Sequence, residues 1–321
     1  MGLQQAAHHA QCFHGIWSQN CQMHRLFTQI KKAAKVDVSI FVSGETGVGK
    51  ELVARALHAE SQRSAAPFVA VSVANLSSEL IDAQLFGYKK GAFTGALHDS
   101  QGLLHMAHKG TLFLDEVTSL QPNNQVKFLR VLQEKQYYPV GDYGNLREFK
   151  AAVISASNLS LEEASEQSQF REDLRYRLEV IHLYVPPLRE RKEDIMLLFQ
   201  KFLERASGTD KWVIPPAIEA ELENHCWLGN VRELENCASY VAAMAVDYLL
   251  QKSDLPDSIG SKRLVSQYDE GVVDQVGNKT ISAGTIEQAL YQCHGNRSNA
   301  ARFLGVSRMT LWRKMKMYNL S

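Results

Sequence analysis

A glycine-rich segment near residue 44 has the residue types and spacing of a phosphate-binding loop. It reads Gly44-Glu-Thr-Gly-Val-Gly-Lys50, follows an apolar run that ends at Val42, and opens a helical pattern. Glycines let backbone N–H groups approach a phosphate, the helix N-terminus adds positive potential, and the lysine reaches the β- and γ-phosphates. Because the spacing and the strand–helix context both hold, a chance glycine turn is the weaker interpretation. We therefore predict a nucleotide site at Gly44, Glu45, Thr46, Gly47, Val48, Gly49, Lys50 and Glu51.

Two carboxylates end a second apolar run, Gly110-Thr-Leu-Phe-Leu-Asp115-Glu116. In a P-loop fold such a strand neighbours the phosphate strand, so Asp115 is expected to hold Mg²⁺ and Glu116 to polarise the attacking water. The generic P-loop motif places a Ser or Thr ligand for magnesium after the lysine, whereas this chain has Glu51. A strand that simply ends in solvated acids is the alternative, and the accompanying P-loop favours catalysis.

Three arginines are candidates for contact with the nucleotide. Arg171 and Arg177 stand six residues apart, and arginine suits the charge on a transferring γ-phosphoryl group, from the same chain or a neighbour. Arg232 begins a helix in the segment Gly229-Asn-Val-Arg232 and is placed to reach back to the nucleotide. Without the P-loop elsewhere in the chain, Arg171 and Arg177 would be interpreted as part of a surface charge cluster.

The segment Gly91-Ala-Phe-Thr-Gly-Ala96 is not needed for hydrolysis. It puts the aromatic ring of Phe93 and the hydroxyl of Thr94 between glycines, where neither a helix nor a strand is favoured. Such apolar loop residues usually pack inward, and the alternative is that Phe93 is presented to a partner protein.

The elements that must position these residues form an α/β pattern. Helical patterns, for example at 51–61 and 122–134, alternate with five short apolar runs, which we predict to be strands of a largely parallel sheet: Val38–Val42, Phe68–Val71, Thr111–Leu114, Ala151–Ser155 and Val180–Val185. Beyond Pro187 helical periodicity replaces the strands. The predicted domains are a leader without a sensor domain (1–35), an α/β domain (36–187), an all-α lid (188–252), a linker (253–282) and a small all-α domain (283–321).

The composition describes a globular chain with an uneven distribution of charge. Thirty-five basic residues balance 35 acidic ones, yet the last 31 residues contain six basic residues and no acidic one. The five cysteines form no C-x-x-C pair, which argues against a disulfide framework or a zinc site. No apolar run approaches the roughly 18 residues that span a bilayer, and no secretory signal is present. We expect a cytoplasmic protein without a membrane partner.

These motifs together resemble the bacterial enhancer-binding proteins, the NtrC-like activators of sigma-54 RNA polymerase within the AAA+ ATPases. The segment Gly91–Ala96 matches the family's polymerase-contacting loop letter for letter, and Glu51 after the lysine is usual in this family. The resemblance implies an ATPase that uses ATP and Mg²⁺ and works as a ring, commonly a hexamer. It assigns Asp115 and Glu116 to Walker B, Asn158 to sensor I, and Arg232 to sensor II. Arg171 and Arg177 would be arginine fingers acting on a neighbouring subunit.

The resemblance also predicts which residues contact sigma-54 and which contact DNA. Sigma-54 contact is implied for Gly91, Ala92, Phe93, Thr94, Gly95 and Ala96. The C-terminal residues resemble the Fis-type helix-turn-helix that binds double-stranded DNA upstream of promoters, whose basic and hydroxyl side chains contact phosphates or bases. A solvated basic helix is the alternative. The predicted DNA contacts are Arg297, Ser298, Ser307, Arg308, Thr310, Arg313 and Lys314.

Four residues depart from the family pattern. Ser72 stands where the family usually has an Asn that couples Walker B to the loop; Tyr88 and Lys89 replace His and Glu, and Leu228 replaces Pro. A hydroxyl is shorter than an amide, so coupling or turnover is expected to be altered. With no sensor domain ahead of the ATPase, control is expected from a separate regulatory protein or a second messenger, unless the chain is a fragment of a longer regulator.

Three hypotheses follow. The first is an ATP-driven ring that remodels the sigma-54 polymerase closed complex into the open complex through the Gly91–Ala96 loop. The second is a DNA-binding regulator, controlled by a nucleotide or second messenger, that turns over little or no ATP. An AAA+ unfoldase or helicase is the third, and it would not predict the polymerase-contacting loop.

Overall fold

The computed structural model describes residues 10–76, 80–142, 144–167, 169–259 and 315. Contacts divide the chain into two units, 1–262 and 263–321. In the second unit the described residue is Met315, which is helical and 4% exposed. The predicted linker from residue 260 onward and all seven predicted DNA contacts lie outside the described residues.

The first unit is built around a parallel sheet. The strands of the described residues are β1 Gln11–Phe13, β2 Ile16–Ser18, β3 Ile40–Ser43, β4 Phe68–Ser72, β5 Thr111–Asp115, β6 Gln136–Tyr137, β7 Arg147–Glu148, β8 Ala152–Ser157 and β9 Ile181–Tyr184. Five of them form the central parallel sheet in the order β4-β5-β8-β3-β9, and β1 with β2 and β6 with β7 form two antiparallel pairs. Helices cover both faces of the central sheet, which is why its strands are nearly continuous apolar runs.

The helices begin and end where the sequence provides caps. Helix α5 starts on Pro122, whose fixed φ suits the first helical turn, and it ends at Lys135 in the left-handed conformation. The helices of the described residues are α1 Cys21–Ala33, α2 Lys50–Glu60, α3 Ile81–Phe86, α4 Gly102–Met106, α5 Pro122–Glu134, α6 Leu161–Glu166, α7 Glu172–Leu178, α8 Glu193–Ser207, α9 Pro216–Asn224 and α10 Asn230–Met244.

The predicted leader, residues 1–35, needs correction. Residues 11–18 form the β1–β2 hairpin, and α1 packs its apolar face into the cluster that covers one face of the sheet, together with β3 and α2. The side chain of Asn20 caps α1 by accepting hydrogen bonds from the N–H groups of residues 22 and 23. The helical spacing of the apolar residues Met23, Leu26, Phe27 and Ile30 would have predicted this helix. The packed domain therefore begins well before residue 36.

The all-α lid has a core of its own. Helices α8, α9 and α10 enclose Phe199 and Trp227, and the indole N–H of Trp227 donates to the carbonyl of Leu222 at 2.8 Å. The same core includes Leu255 and Ile259. The lid therefore extends past the predicted boundary at residue 252, and the first residues of the predicted linker belong to it.

Candidate nucleotide site

The strand order brings the predicted catalytic segments to one edge of the sheet. Strands β3, β8 and β5 are neighbours and run parallel, so their carboxyl ends meet. The P-loop follows β3, Asp115 ends β5, and Asn158 follows β8 with an exposed side chain. Ser72 at the end of β4 pairs in register with Asp115. Ligands in open α/β sheets bind at this edge.

The P-loop is closed around its own lysine. Lys50 is only 9% exposed, and its ammonium donates to the carbonyls of Gly44 at 2.7 Å and Glu45 at 3.1 Å. Gly49 caps α2 with a φ of 103°, a conformation that favours glycine. An ammonium held by two neutral backbone carbonyls is available to bind phosphate oxygens without leaving the loop.

The charges around Lys50 show which side chains converge. Burial lowers the pKa of Lys50, while the negative charges of Asp115 and then Glu116 oppose that shift, and the positive charge of Arg232 adds to it. Both predicted Walker B carboxylates and the predicted sensor II arginine therefore lie within electrostatic reach of the P-loop ammonium. The predicted residue Glu51 is instead exposed and paired with Arg55 on the surface of α2.

The turn after β5 fixes the two carboxylates. Glu116 adopts a left-handed conformation with a φ of 54°, a conformation that is uncommon for residues other than glycine and is often found at functional sites. Its N–H donates to Asp115 Oδ1 at 3.1 Å. Among the described residues, no hydrogen bond joins Ser72 to Glu116. The contact that the family's Asn is expected to make at this position therefore has no counterpart from Ser72 among the described residues.

A pair of hydroxyls, missed by the sequence analysis, connects the turn after Asp115 and Glu116 to the predicted sensor I segment. Thr118 Oγ1 and Ser157 Oγ share a hydrogen bond at 3.0 Å, and Ser157 Oγ also accepts from the N–H of Leu159 at 3.1 Å. The turn that carries Asn158 is therefore fastened to the segment that follows Glu116. The available signal was a small hydroxyl residue at the end of one strand, Ser157 of β8, and another three residues beyond the end of β5, Thr118.

The lid grips the P-loop through Glu45. Arg189 donates to both carboxylate oxygens of Glu45, at 2.7 and 2.5 Å, and Asn230 Nδ2 donates to the same carboxylate at 3.1 Å and to the carbonyl of Thr46 at 3.0 Å. Asn230 is fully buried and left-handed, and its Oδ1 accepts from the N–H of Leu188. The hydrogen bonds from Arg189 are the largest cause of the lowered pKa of Glu45. We call these three side chains, Glu45, Arg189 and Asn230, the lid clasp.

A buried ion pair lies behind the lid clasp. Arg191 is 2% exposed and donates to the carbonyl of Val48 at 3.1 Å, and its guanidinium lies 4.0 Å from Asp194. Ser18 of the hairpin donates to Asp194 at 2.6 Å, as does the N–H of Gln19 at 2.7 Å. Burial lowers the pKa of Arg191 and raises that of Asp194. The sequence analysis named neither residue, although both stand in the charged run after Pro187.

Glycine is required where the P-loop meets the lid. Gly47 has a φ of 81°, and a Cβ there would lie 2.3 Å from the carbonyl oxygen of Gly229. The N–H of Arg232 donates to the carbonyl of Gly47 at 3.3 Å. The backbone that carries the predicted sensor II arginine therefore rests directly on the P-loop.

The two predicted arginine fingers lie at opposite ends of α7. Arg171 precedes the helix and pairs with Asp173 at 2.7 Å; Arg177 lies in the last turn and donates to the carbonyl of Leu132 at 3.5 Å. Each lines a different cavity. Within the described residues neither one contacts the P-loop of its own chain.

The predicted sigma-54 loop is a closed turn attached to a second loop. The N–H of Gly91 donates to the carbonyl of Ala96 at 2.9 Å, and the ring of Phe93 lies 5.0 Å from that of Tyr88, nearly edge-on. Thr94 is exposed. At the base, Lys89 pairs with Asp99 at 2.7 Å and lies 4.0 Å from Asp142. Phe93 thus packs partly inward, while the hydroxyl of Thr94 faces solvent.

The donor set fits magnesium bound with a nucleotide. Among the described residues, no cluster of three or more His, Cys, Asp or Glu side chains is arranged to hold a metal ion. Mg²⁺ in nucleotide sites uses one or two carboxylates and completes its shell with phosphates and water. The carboxylate of Asp115, near Lys50, meets that requirement.

Comparison with known proteins agrees with this geometry. Residues 16–184 match the Sigma-54 interaction domain, 189–270 the AAA+ ATPase lid domain, and 280–318 the Fis family of bacterial regulatory proteins. The DNA-binding transcriptional regulator NtrC of Escherichia coli K12 is 36% identical over 319 residues, which cover 92% of this chain and 68% of NtrC. The regulatory protein AtoC of the same organism is 38% identical over 299 residues, 90% of this chain and 64% of AtoC.

A solved structure extends the agreement to the fold. NtrX from Brucella abortus, crystallised with ATP, is similar with a TM-score of 0.70 and 31% identity over 94% of this chain and 68% of that one. The fold and the site thus define an AAA+ P-loop ATPase with a helical lid. The chain belongs to the sigma-54-dependent transcriptional activators, which confirms the family, the fold class, ATP binding and the ATPase activity predicted from the sequence. None of the described helices is long and apolar enough to cross a membrane.

Proposed function

We propose that this chain forms an ATP-hydrolysing ring, a hexamer, that remodels sigma-54 RNA polymerase from the closed to the open promoter complex. The convergence of Asp115, Glu116 and Arg232 on Lys50 is the observation that carries the proposal. A DNA-binding role for residues 283–321 and contact with sigma-54 through the Gly91–Ala96 loop complete it.

In the proposed reaction the P-loop backbone and Lys50 hold the phosphates of ATP, with Lys50 moving from the carbonyls of Gly44 and Glu45 to the β- and γ-phosphates. Asn158 orients the attacking water, and Glu116 takes its proton as the water oxygen bonds to the γ-phosphorus. The bond from the γ-phosphorus to the bridging oxygen breaks, and ADP leaves. Asp115 would hold Mg²⁺, which would supply positive charge to neutralise the phosphate oxygens. Arg232 contacts the γ-phosphate, and loss of that contact after hydrolysis changes the position of the lid.

Neighbouring subunits complete each site. Arg171 and Arg177 make no contact with their own P-loop, which supports a role in trans on the γ-phosphoryl group of a neighbour. Arginine supplied in this way stabilises charge that develops in the transition state. Hydrolysis then requires assembly, so the rate per chain rises with protein concentration.

The loop at Gly91–Ala96 connects hydrolysis to the polymerase. Its stem follows α3, and the same β4–β5 region carries Asp115 and Glu116. The exposed Thr94 and the half-buried Phe93 are available to a partner once the Tyr88–Phe93 contact opens. The loop therefore delivers the conformational change without taking part in the chemistry.

The ring is tested by mixing two inactive variants. Lys50→Ala lacks the P-loop lysine and Arg171→Ala lacks a finger, so each alone is expected to hydrolyse no ATP. In a mixed ring, an intact P-loop meets an intact finger at some interfaces, and ATPase activity returns. Activity that never returns at any ratio contradicts completion in trans. A wild-type chain inactive at every concentration, yet still activating its promoter, would support a regulator that acts by DNA occupancy alone.

A further inference from the structure

A second cavity opens on the edge of the central sheet opposite the P-loop. It has a volume of about 640 Å³ and is lined where β3, β8 and β9 begin, by Ser39, Ala152 and Val180 among others. The P-loop follows the carboxyl end of β3, and the cavity lies at the amino end of the same strand. Four residues at about 3.3 Å each place the cavity and the P-loop about 13 Å apart. We call it the amino-edge cavity. Its volume is within the range of about 300–1,000 Å³ common for small-molecule sites.

The charged residues of the amino-edge cavity are strongly unequal in sign. One carboxylate, Asp37, faces five cations, which are Arg63, Lys109, Lys135, Lys150 and Arg177. An excess of one charge in a concave site with apolar walls focuses the potential and concentrates ions of opposite sign.

Arg63 forms a rigid wall of this cavity. Its guanidinium donates to both oxygens of Asp37, at 2.9 and 2.8 Å, and to the carbonyls of Lys109 at 3.3 Å and Lys150 at 2.5 Å. These partners precede β3, β5 and β8. Arg63 therefore joins the segments that lead into three strands, and it neutralises Asp37, the carboxylate among the described residues of the lining.

Three of the remaining cations form no ion pair with any described residue. Lys150 pairs with Glu148 at 2.6 Å, but none of the described carboxylates lies within ion-pair distance of Lys109, Lys135 or Arg177. Partial desolvation and the nearby charges of Arg177 and Arg63 lower the pKa of Lys135, against a raising effect of Asp37, which is itself engaged by Arg63. The cations therefore lie close enough to repel one another. Helices α5 and α7 end at this edge, and the negative C-terminal end of a helix attracts cations. Among the described residues, Arg177 nevertheless makes only a long hydrogen bond there, 3.5 Å to the carbonyl of Leu132 in α5.

We propose that the amino-edge cavity is a second anion site, which binds a small molecule carrying two adjacent phosphate groups between Lys109, Lys135 and Arg177. Lysine and arginine are the side chains that bind phosphates in proteins, and three cations match the charge of a diphosphate group. The apolar edge formed by Val38 and Val180 is large enough to cover the uncharged part of such a ligand.

Binding at this site also regulates hydrolysis, a consequence that rests on the proposed function. Arg177 is the predicted finger for the neighbouring subunit, and a diphosphate in the amino-edge cavity holds its guanidinium on its own chain. An occupied cavity therefore lowers the turnover of the ring without competing for the P-loop.

Pyrophosphate binding to the full chain with Lys50→Ala tests the site, because this change removes the P-loop ammonium. Calorimetry is expected to show one pyrophosphate per chain, with a dissociation constant below about 1 mM. Adding Lys135→Glu is expected to weaken binding about tenfold or more, the effect of reversing one partly screened charge. Lys109→Glu gives the same weakening through a different element. Lys211→Glu, an equal charge change in the lid, leaves binding unchanged.

Absence of pyrophosphate binding to Lys50→Ala overturns the site, as does equal weakening by Lys211→Glu. These measurements involve no hydrolysis, so they stand whether or not the ring is active. For the regulatory step, pyrophosphate at saturating ATP is expected to lower the maximal ATPase rate of the wild type and not that of Lys135→Glu. An equal loss of rate in both proteins refutes the regulatory step.

Discussion

Glu45 of the P-loop and Arg189 of the lid are joined by two hydrogen bonds, at 2.7 and 2.5 Å, across 144 positions of sequence. Asn230 reinforces the contact from the start of α10. The lid is therefore attached to the proposed phosphate-binding loop, and we expect a change in that loop to reach the lid through this charged pair.

The charge balance of the lid clasp predicts opposite effects of two substitutions. Arg189→Ala leaves the Glu45 carboxylate uncompensated beside the phosphates and is expected to weaken ATP binding about two- to fivefold, since the pair is partly exposed. Adding Glu45→Gln removes that repulsion and recovers most of the affinity. ATP titration of the single and double variants measures both. Arg205→Ala, which breaks an ion pair with Glu235 on the lid surface, serves as control. An equal loss in the control contradicts the clasp.

The same carboxylate makes stability depend on pH. The pKa of Glu45 is lowered in the folded chain from its ordinary value of 4.5, so its contribution is fully present above that value and is lost as the pH falls through the folded pKa. Thermal unfolding is expected to show a smaller loss of Tm on acidification below about pH 4.5 for Glu45→Gln than for the wild type. Identical pH profiles would show that Glu45 gains nothing from the clasp.

Among single substitutions near the lid, Asp194→Ala is expected to lower the unfolding free energy the most. Asp194→Ala leaves the buried guanidinium of Arg191 without its counter-ion and Ser18 without its acceptor. Loss of one partner of a buried pair costs about 3–5 kcal/mol of unfolding free energy. Urea denaturation measures it, with the exposed Asp210→Ala as control. A loss below about 1 kcal/mol, typical of surface pairs, would contradict the assignment.

A methyl group at Gly47 is expected to separate the lid from the P-loop. The added Cβ of Gly47→Ala would lie 2.3 Å from the carbonyl oxygen of Gly229, and the φ of 81° is strained for alanine. We expect unfolding free energy to fall by about 1–3 kcal/mol and ATP turnover to be lost. Gly144→Ala has open space and no such φ, so it should leave both unchanged. Normal turnover in Gly47→Ala would show that the contact is dispensable.

Sequence reasoning succeeded where the signal is local. The P-loop spacing and the apolar strand runs were evident, and α5 has the bounds predicted, because a first-turn proline and a periodic apolar face define it. The lid clasp was not predicted because Glu45 and Asn230 are 185 positions apart and neither residue type requires the other as a partner. The hairpin escaped because strands of three residues leave almost no periodicity.

The coupling loop offers the most direct test of the central claim, that ATP hydrolysis acts on sigma-54 polymerase through Gly91–Ala96. ATPase activity and single-round sigma-54-dependent transcription are measured on the same preparation of Thr94→Ala. Since the exposed Thr94 side chain takes no part in the chemistry, we predict hydrolysis within about twofold of the wild type and no transcript. A Thr94→Ala variant that supports normal transcription, or one that loses hydrolysis as well, would contradict the account.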